Sequence, residues 1–120
     1  LVVEDDANVR QIPVTMLRSQ GYEVIEAAHG KAAIEHLSDD RHFDLLFTDV
    51  ILPGGMNGVD IAQAAEKIQP GIKVLYTSGY AENDVFLKGQ LDPALTLVKK
   101  PYRRTELLEK VRAMLDSAIE

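Results

Sequence analysis

The chain of 120 residues has the length of one ordinary domain, and its 46% hydrophobic and 27% charged residues are typical of a protein that folds around a core. Its 13 basic and 19 acidic residues give a net charge of −6, which argues against a nucleic-acid-binding surface, and no apolar run approaches the roughly 20 residues that cross a bilayer. Cysteine is absent, which excludes disulfides and thiolate metal sites. Because the chain begins at Leu1 within a strand-like run, we expect residues 1–120 to be a single domain from a longer protein.

The hydrophobic pattern alternates between the period of a strand and that of a helix. It predicts strands at 1–3, 22–27, 43–48, 72–76 and 94–98, and helices at 9–20, 31–38, 59–68, 82–88 and 103–118. Asp6 and Asn57 are the expected caps of the first and third helices. Pro13 fits a helix interior poorly, so the first helix is expected to kink there or to begin later. Five apolar strands alternating with five helices predict an α/β fold, a parallel sheet covered on both faces.

Charged residues follow the predicted strands. Glu4, Asp5 and Asp6 come directly after the first strand, Asp49 follows the third, and Lys100 follows the last. The carboxyl ends of the strands in an open parallel sheet meet at one edge, where such sheets place their ligand sites. We therefore expect these charges to share one pocket.

Carboxylates brought so close together need a cation. Two unit charges about 4 Å apart repel by about 4 kcal/mol at an effective dielectric of about 20, which is a large fraction of a small domain's stability. Lys100 supplies one positive charge, and Mg²⁺, a hard cation that binds oxygen ligands, supplies the rest. An aspartate beside Mg²⁺ and a lysine is well placed to attack phosphorus. Asp49 is then the predicted phosphoryl acceptor.

The sequence contains four segments that resemble the motifs of one family: LVVEDD at residues 1–6, FDLLFTDVILPGGMNG at 43–58, VLYTSGY at 74–80 and LVKKPY at 97–102. They are similar, in order and in placement, to the motifs of the receiver domain of two-component response regulators. The resemblance covers the whole chain. It implies a flavodoxin-like, doubly wound sheet of five parallel strands in the order 2-1-3-4-5, with five helices on both faces.

The resemblance also implies a metal site and its ligands. Asp5 matches the direct Mg²⁺ ligand, and Glu4 matches the acidic residue that acts through water. Asp49 and the backbone carbonyl of Ile51 complete the protein's share of the metal shell. Asp6 lies one step beyond the acidic pair, where we expect it to cap the first helix.

The remaining site residues follow from the same motifs. Asp49 matches the phosphoacceptor, and Thr77 matches the hydroxyl residue that binds the acyl phosphate and moves inward on activation. Lys100 matches the lysine that contacts the phosphoryl oxygens. The resemblance further implies that the Lys100–Pro101 peptide bond is cis.

The sequence departs from the family's usual pattern in three respects. Leu97 stands where receivers usually have a tyrosine or phenylalanine that rotates with the threonine, so coupled switching is in doubt. The loop between Asp49 and Gly58 has one extra glycine, as in receivers attached to hybrid sensor kinases. Neither Ile51 nor Gly79 has a side chain that could orient water towards the phosphoryl group, so we predict that self-dephosphorylation is slow.

Purely structural roles for these residues and three other functions are the alternatives to this prediction. The acidic cluster alone could be a helix cap and first-turn acids, and Asp49 could cap a turn. A degenerate receiver that acts only as an interaction module should lack Asp49, Thr77 or Lys100, which are all present. An aspartate-nucleophile phosphatase usually has a second aspartate two residues after the nucleophile, where this chain has Ile51. A Mg²⁺ domain of the topoisomerase-primase type is also disfavoured, although it needs a similar acidic pair.

The predicted function is that of a phosphoacceptor receiver in a phosphorelay. It takes a phosphoryl group from a histidine kinase or a histidine phosphotransfer domain onto Asp49 and is not a conventional enzyme by itself. Phosphorylation is expected to shift the interaction surface formed by the predicted helix 82–88, the last strand and the last helix, for a downstream protein or an output domain. We expect a cytoplasmic location without membrane or nucleic-acid binding. Monomer and homodimer stay open, as do a stand-alone regulator and a hybrid-kinase receiver.

Overall fold

The computed structural model describes residues 1–39, 41–52, 54–78 and 97–116, which form five strands and four helices. In chain order these are β1 (Val2–Val3), α1 (Ala7–Ser19), β2 (Glu26–Ala27), α2 (Gly30–Ser38), β3 (Leu45–Asp49), α3 (Gly58–Ile68), β4 (Lys73–Ser78), β5 (Leu97–Lys99) and α4 (Arg104–Asp116). No helix in these ranges has the length and apolar content that a bilayer crossing needs.

The five strands form one parallel sheet in the order β2-β1-β3-β4-β5. Both the parallel sheet and its predicted strand order are confirmed. Since successive residues of a strand point to opposite faces, Val2 packs into one core cluster and Val3 into the other. The cluster around Val3 includes residues of α2 and α3, and the cluster around Val2 includes residues of α1 and α4. Helices therefore cover both faces of the sheet, as predicted.

The observed strands differ in length from the predicted ones. The predicted strand 22–27 is reduced to the two residues of β2, because β2 is an edge strand whose single neighbour, β1, offers only Val2 and Val3 for pairing. The strands β3 and β4 begin later than predicted but extend further at their carboxyl ends, where they include Asp49 and Thr77, which pair with each other in register. The predicted helix 82–88 and residues 94–96 of the last predicted strand lie outside the described residues.

Helix α1 begins at Ala7, earlier than predicted. The Asp6 carboxylate accepts hydrogen bonds from the backbone N–H groups of Asn8 and Val9 at 2.9 and 3.2 Å, which confirms its role as the helix cap. The expectation that Pro13 delays the start of the helix is wrong: Pro13 lies inside α1 and is buried. The cap and the burial of the apolar face compensate for the backbone hydrogen bond that proline cannot donate.

Helix α3 begins directly against the end of β3. Asn57 caps it by accepting from the N–H of Asp60 at 2.9 Å, and the Asp60 carboxylate accepts from the N–H of Asn57 at 3.0 Å. The N–H of Gly58 donates to the carbonyl of Val50 at 2.8 Å. A Cβ atom on Gly58 would overlap the backbone carbonyl oxygen of Asp49. Glycine is therefore required here, because the backbone of α3 closely approaches the carbonyl of Asp49, the last residue of β3.

Gly58→Ala is expected to lower the free energy of unfolding by about 1–3 kcal/mol, because the added methyl group displaces either α3 or the Asp49 peptide. Urea denaturation measures this change. Helix propensity alone favours alanine over glycine, so it predicts the opposite sign. An alanine variant as stable as the wild type would show that the backbone approach at Asp49 relaxes freely.

Candidate functional site

Lys100 connects two strand-end carboxylates through short ion pairs. Its Nζ atom lies 2.8 Å from Glu4 Oε1 and 2.8 Å from Asp49 Oδ2. Glu4 directly follows β1, Asp49 ends β3, and Lys100 directly follows β5, so the carboxyl ends of three strands bring the three side chains together. The peptide bond between Lys100 and Pro101 is cis, as predicted. The sequence prediction of a shared pocket holds for these residues.

The site is largely removed from solvent. Glu4, Asp49 and Thr77 are buried, with 6%, 4% and 3% of their surfaces exposed, whereas Asp5 is exposed. Thr77 lies in β4 beside Asp49, and its backbone carbonyl accepts from the N–H of Val50 at 2.9 Å. Asp5 therefore lies on the solvent side of a cluster of buried polar groups.

Burial and the shared lysine set the ionisation of these groups. Burial raises the pKa of Asp49 to about 7, although Lys100 opposes this rise and Glu4 adds to it. Burial also acts to raise the pKa of Glu4, but hydrogen bonds from Lys100 and the backbone N–H of Asp6 outweigh it and hold the pKa below its usual range. For Lys100, burial favours the neutral amine, but the two carboxylates outweigh burial and raise its pKa. One ammonium thus neutralises one of two carboxylates, and the second charge is poorly compensated.

Two buried polar oxygen atoms of this cluster have no partner among the described residues. Asp49 Oδ1 and Thr77 Oγ1 are both buried, and neither has a hydrogen-bond partner among the described residues. A buried polar atom without a partner costs about 1–3 kcal/mol. These atoms are therefore available to a group that binds beside them.

The acidic side chains fit a hard divalent cation. Glu4, Asp5 and Asp49 each offer a carboxylate oxygen, and these oxygen atoms lie within 4.8 Å of one another. Carboxylate oxygens are the ligands that Mg²⁺ and Ca²⁺ prefer, and a cation would compensate the unpartnered Asp49 Oδ1. Asp6 is not part of this group because its carboxylate caps α1. The loop carbonyl of Ile51 as a further ligand stays a prediction.

Two residues near the site have roles that sequence reasoning missed. Gly58 allows α3 to approach the Asp49 carbonyl, and Arg10 donates from Nη1 to the carbonyl of Glu4 at 2.8 Å. Gly58 was recognisable only as a glycine at a helix start. No sequence pattern distinguished Arg10 from a surface residue, because an arginine in the first turns of a helix is usually solvated. Nothing is described for Gly79 or for the side chain of Leu97, so the predictions on slow self-dephosphorylation and on coupled switching stay predictions.

The raised pKa of Asp49 predicts how stability depends on pH without a divalent cation. The pKa of Asp49 is about 7 in the folded chain against an ordinary value of 3.8. Between these two values the folded chain therefore keeps a proton on Asp49 that the unfolded chain has released. This contribution to stability is fully present below about pH 4 and is lost as pH rises through about 7. As pH rises from 4 to 8 in EDTA, the free energy of unfolding of Asp49→Asn is expected to increase by about 2–4 kcal/mol relative to that of the wild type. Urea denaturation across this range measures the gain, and parallel pH profiles for the two proteins would contradict the expectation.

Comparison with known proteins identifies the family. Residues 1–112 match the model of the response regulator receiver domain. The chain belongs to this family. As a receiver domain it is a phosphoacceptor module of two-component signal transduction. The match includes every strand, every carboxylate of the site and Lys100.

Relatives of this receiver domain occur in two settings. The chain is 30% identical over 118 residues to the response regulator receiver protein CpdR of Brucella abortus (strain 2308), and the alignment covers 98% of this chain and 97% of CpdR. It is 34% identical over 117 residues to the sensor kinase CckA of the same organism, where it covers 97% of this chain but only 12% of CckA. The same module therefore makes up nearly all of one relative and a small part of another.

Solved structures agree with the fold. The receiver domain matches the crystal structure of a CheY-like response regulator receiver domain protein from Methanospirillum hungatei JF-1 with a TM-score of 0.81 and 31% identity. The match covers 98% of this chain and 92% of that chain. The predicted flavodoxin-like, CheY-like architecture is thus confirmed by the sheet order and by this structural likeness.

Proposed function

We propose that Asp49 of this receiver domain accepts a phosphoryl group from a partner phosphohistidine, and that Glu4, Asp5 and Asp49 hold the Mg²⁺ that the transfer requires. The observation that carries the proposal is the position of Lys100 Nζ, 2.8 Å from both Asp49 Oδ2 and Glu4 Oε1. This arrangement places a fixed positive charge at the carboxylate that becomes modified. It also supports an active receiver over a degenerate one, because acceptor, lysine and acidic pair lie together.

In the proposed transfer a carboxylate oxygen of Asp49 forms a bond to phosphorus while the bond between phosphorus and the histidine nitrogen breaks. The electron pair of the broken bond returns to the imidazole, and Asp49 becomes an acyl phosphate. Lys100 stabilises negative charge on the phosphoryl oxygens, and the hydroxyl of Thr77 is available to donate a hydrogen bond to one of them. When bound, Mg²⁺ supplies further neutralisation of the same oxygens.

The phosphoryl donor belongs to another domain or protein. His29 accepts from the N–H of Ala32 through Nδ1 as the cap of α2, and exposed His42 lies 3.1 Å from Asp44 through Nε2. The third histidine, His36, lies on α2, and none of the three is among the residues that form ion pairs with Lys100. A histidine kinase or a histidine phosphotransfer domain is therefore the proposed partner, with the reaction in the cytoplasm. CpdR and CckA exemplify the stand-alone and kinase-linked settings in which such a domain could serve.

Phosphorylation is proposed to change the affinity of the surface around β5 and α4 for a downstream protein or output domain. Lys100 directly follows β5 and α4 begins at Arg104, so the lysine that meets the phosphoryl group lies between the two elements. Tyr102, in the same connection, packs edge-on against Phe47 with ring centroids 6.1 Å apart. A shift of Lys100 towards the acyl phosphate is thus directly linked to this surface.

Incubation with Mg²⁺ and acetyl phosphate, followed by intact mass spectrometry, tests the proposed function. We expect one phosphoryl group per chain, removed by mild base and absent when EDTA replaces Mg²⁺, because an acyl phosphate is base-labile and the acidic pair requires its cation. The absence of an adduct under all conditions would contradict the proposal. An adduct that survives base would show that a hydroxyl group, not a carboxylate, is modified.

A further inference from the structure

Arg10 links α1, β2 and Glu4, the first residue of the acidic pair. Its Nε atom donates to Glu26 Oε1 at 2.9 Å, and its Nη1 atom donates to the backbone carbonyl of Glu4 at 2.8 Å. Gln11 Nε2 donates to the same Glu26 oxygen at 2.8 Å, and Arg18 Nη2 lies 3.7 Å from the other oxygen. The Arg10 side chain is only 16% exposed. Its guanidinium is therefore held from two sides.

The contact with the Glu4 carbonyl fixes the peptide group that joins Glu4 to Asp5. On its other side, Glu4 donates its N–H to the carbonyl of Ala27 at 3.1 Å, and its carboxylate is bound by Lys100 and by the N–H of Asp6. The orientation of the Glu4–Asp5 peptide determines the direction in which the Asp5 side chain leaves the backbone. Asp5 is exposed, so packing cannot fix that direction. Among the described contacts, the Arg10 hydrogen bond is the one that a helix or strand side chain makes with this peptide.

Charge alone does not explain an arginine at this place. A positive charge near the three carboxylates opposes cation binding, and its removal should by Coulomb's law strengthen the affinity for Mg²⁺. A positioning role predicts the opposite result, because ligands that are not held in place bind a metal less tightly. The two explanations therefore differ in the sign of one measurable quantity.

We propose that Arg10 is a positioning residue for the acidic pair, and that Glu26 holds Arg10 in the orientation this role requires. The inference rests on the proposed function, because it assumes that Glu4 and Asp5 bind Mg²⁺. The described contacts of Arg10 are with Glu26 and the Glu4 carbonyl, and none is with the carboxylates of the acidic pair. Arg10 acts on the backbone between Glu4 and Asp5, and the Glu26 carboxylate on β2 holds the Arg10 guanidinium against the sheet.

Calorimetric titration of the metal-free chain with Mg²⁺ tests the role of Arg10. Arg10→Ala is expected to weaken Mg²⁺ binding about tenfold, in the range found when groups behind metal ligands are removed. Arg10→Lys keeps the charge but loses the planar fork that reaches Glu26 and Glu4 together, so it should also bind Mg²⁺ more weakly than the wild type. Arg112→Ala is the matched control: it removes the same charge from an exposed arginine on α4 that bonds Asp116 and Tyr22, and it should leave Mg²⁺ affinity unchanged.

Phosphorylation kinetics and substitution of Glu26 distinguish a positioning role of Arg10 from a general loss of structure. With acetyl phosphate, the Arg10 variants should need more Mg²⁺ for half-maximal phosphorylation but reach a nearly normal rate at saturation, since Asp49, Thr77 and Lys100 are intact. Glu26→Ala should also weaken Mg²⁺ binding. Combining it with Arg10→Ala should cause little further loss of affinity, because both substitutions remove the same interaction. Circular dichroism verifies that each variant is folded.

The wild-type titration distinguishes a failure of the positioning role from a failure of the proposed function. If the wild type binds Mg²⁺ and folded Arg10→Ala and Arg10→Lys bind it equally well or more tightly, the positioning role is overturned while the proposed function stands. If the wild type itself binds no Mg²⁺, both the proposed function and this inference fail.

Discussion

Asp49→Asn is expected to abolish the phosphoryl adduct completely under conditions in which the wild type is fully modified. Asparagine has nearly the same shape and can still accept a hydrogen bond from Lys100, but its neutral amide is not a nucleophile towards phosphorus. The variant should remain folded, because it removes the poorly compensated second charge from a pocket where Lys100 already pairs with Glu4. Intact mass spectrometry after treatment with Mg²⁺ and acetyl phosphate measures the adduct.

Asp44→Asn is the matched control for this experiment. Asp44 lies just before β3, and its side chain is 77% exposed, so the same chemical change is made on the same segment but outside the pocket. This variant should form the adduct as the wild type does. Full modification of Asp49→Asn would refute Asp49 as the acceptor, and peptide mapping of the adduct would then locate the modified residue.

Lys100→Met is expected to slow phosphorylation by about 10²- to 10³-fold, the loss typical of removing one fixed group that stabilises developing charge. Methionine keeps much of the side chain's length and apolar stem but cannot neutralise phosphoryl oxygens. Without a cation, Asp49 and Glu4 then face each other with no counter-charge, so the metal-free variant should be less stable. Rates of adduct formation at saturating Mg²⁺ measure the first effect.

The same variant should gain more stability from Mg²⁺ than the wild type does. In the wild type Lys100 binds one oxygen each of Glu4 and Asp49, so the ammonium and a metal ion compete for the charge of the same carboxylates. Thermal denaturation with and without Mg²⁺ measures the gain through linkage. Lys67→Met, which removes an exposed lysine on α3, should change neither the rate nor the gain. A Lys100→Met variant that phosphorylates at the normal rate would show that the lysine has a structural role only.

Much of the fold follows from local sequence pattern. The alternation of strand and helix periods, the cap residues Asp6 and Asn57 and the charges after successive strands are all short-range features, and each has a counterpart in the structure. The exact strand order came only with the family resemblance, since right-handed crossovers leave several orders open. The predicted ends of the strands were less accurate, because the length of a strand depends on the neighbour with which it pairs. Strand β2 is short because β1 is short.

The site, too, has features that the sequence predicts and features that only the structure shows. Sequence position alone put Glu4, Asp49 and Lys100 at strand ends, and the geometry of a parallel sheet then required them to meet, although Lys100 and Glu4 are 96 residues apart. Only the folded chain shows that one ammonium is shared by two carboxylates, that Asp49 Oδ1 is left without a partner, and that Gly58 and Arg10 touch the backbone at Asp49 and Glu4. These features depend on distances of a few ångströms between segments that are remote in sequence. Composition and periodicity carry no information at that scale, because they record which residues face the core and not which atoms meet there.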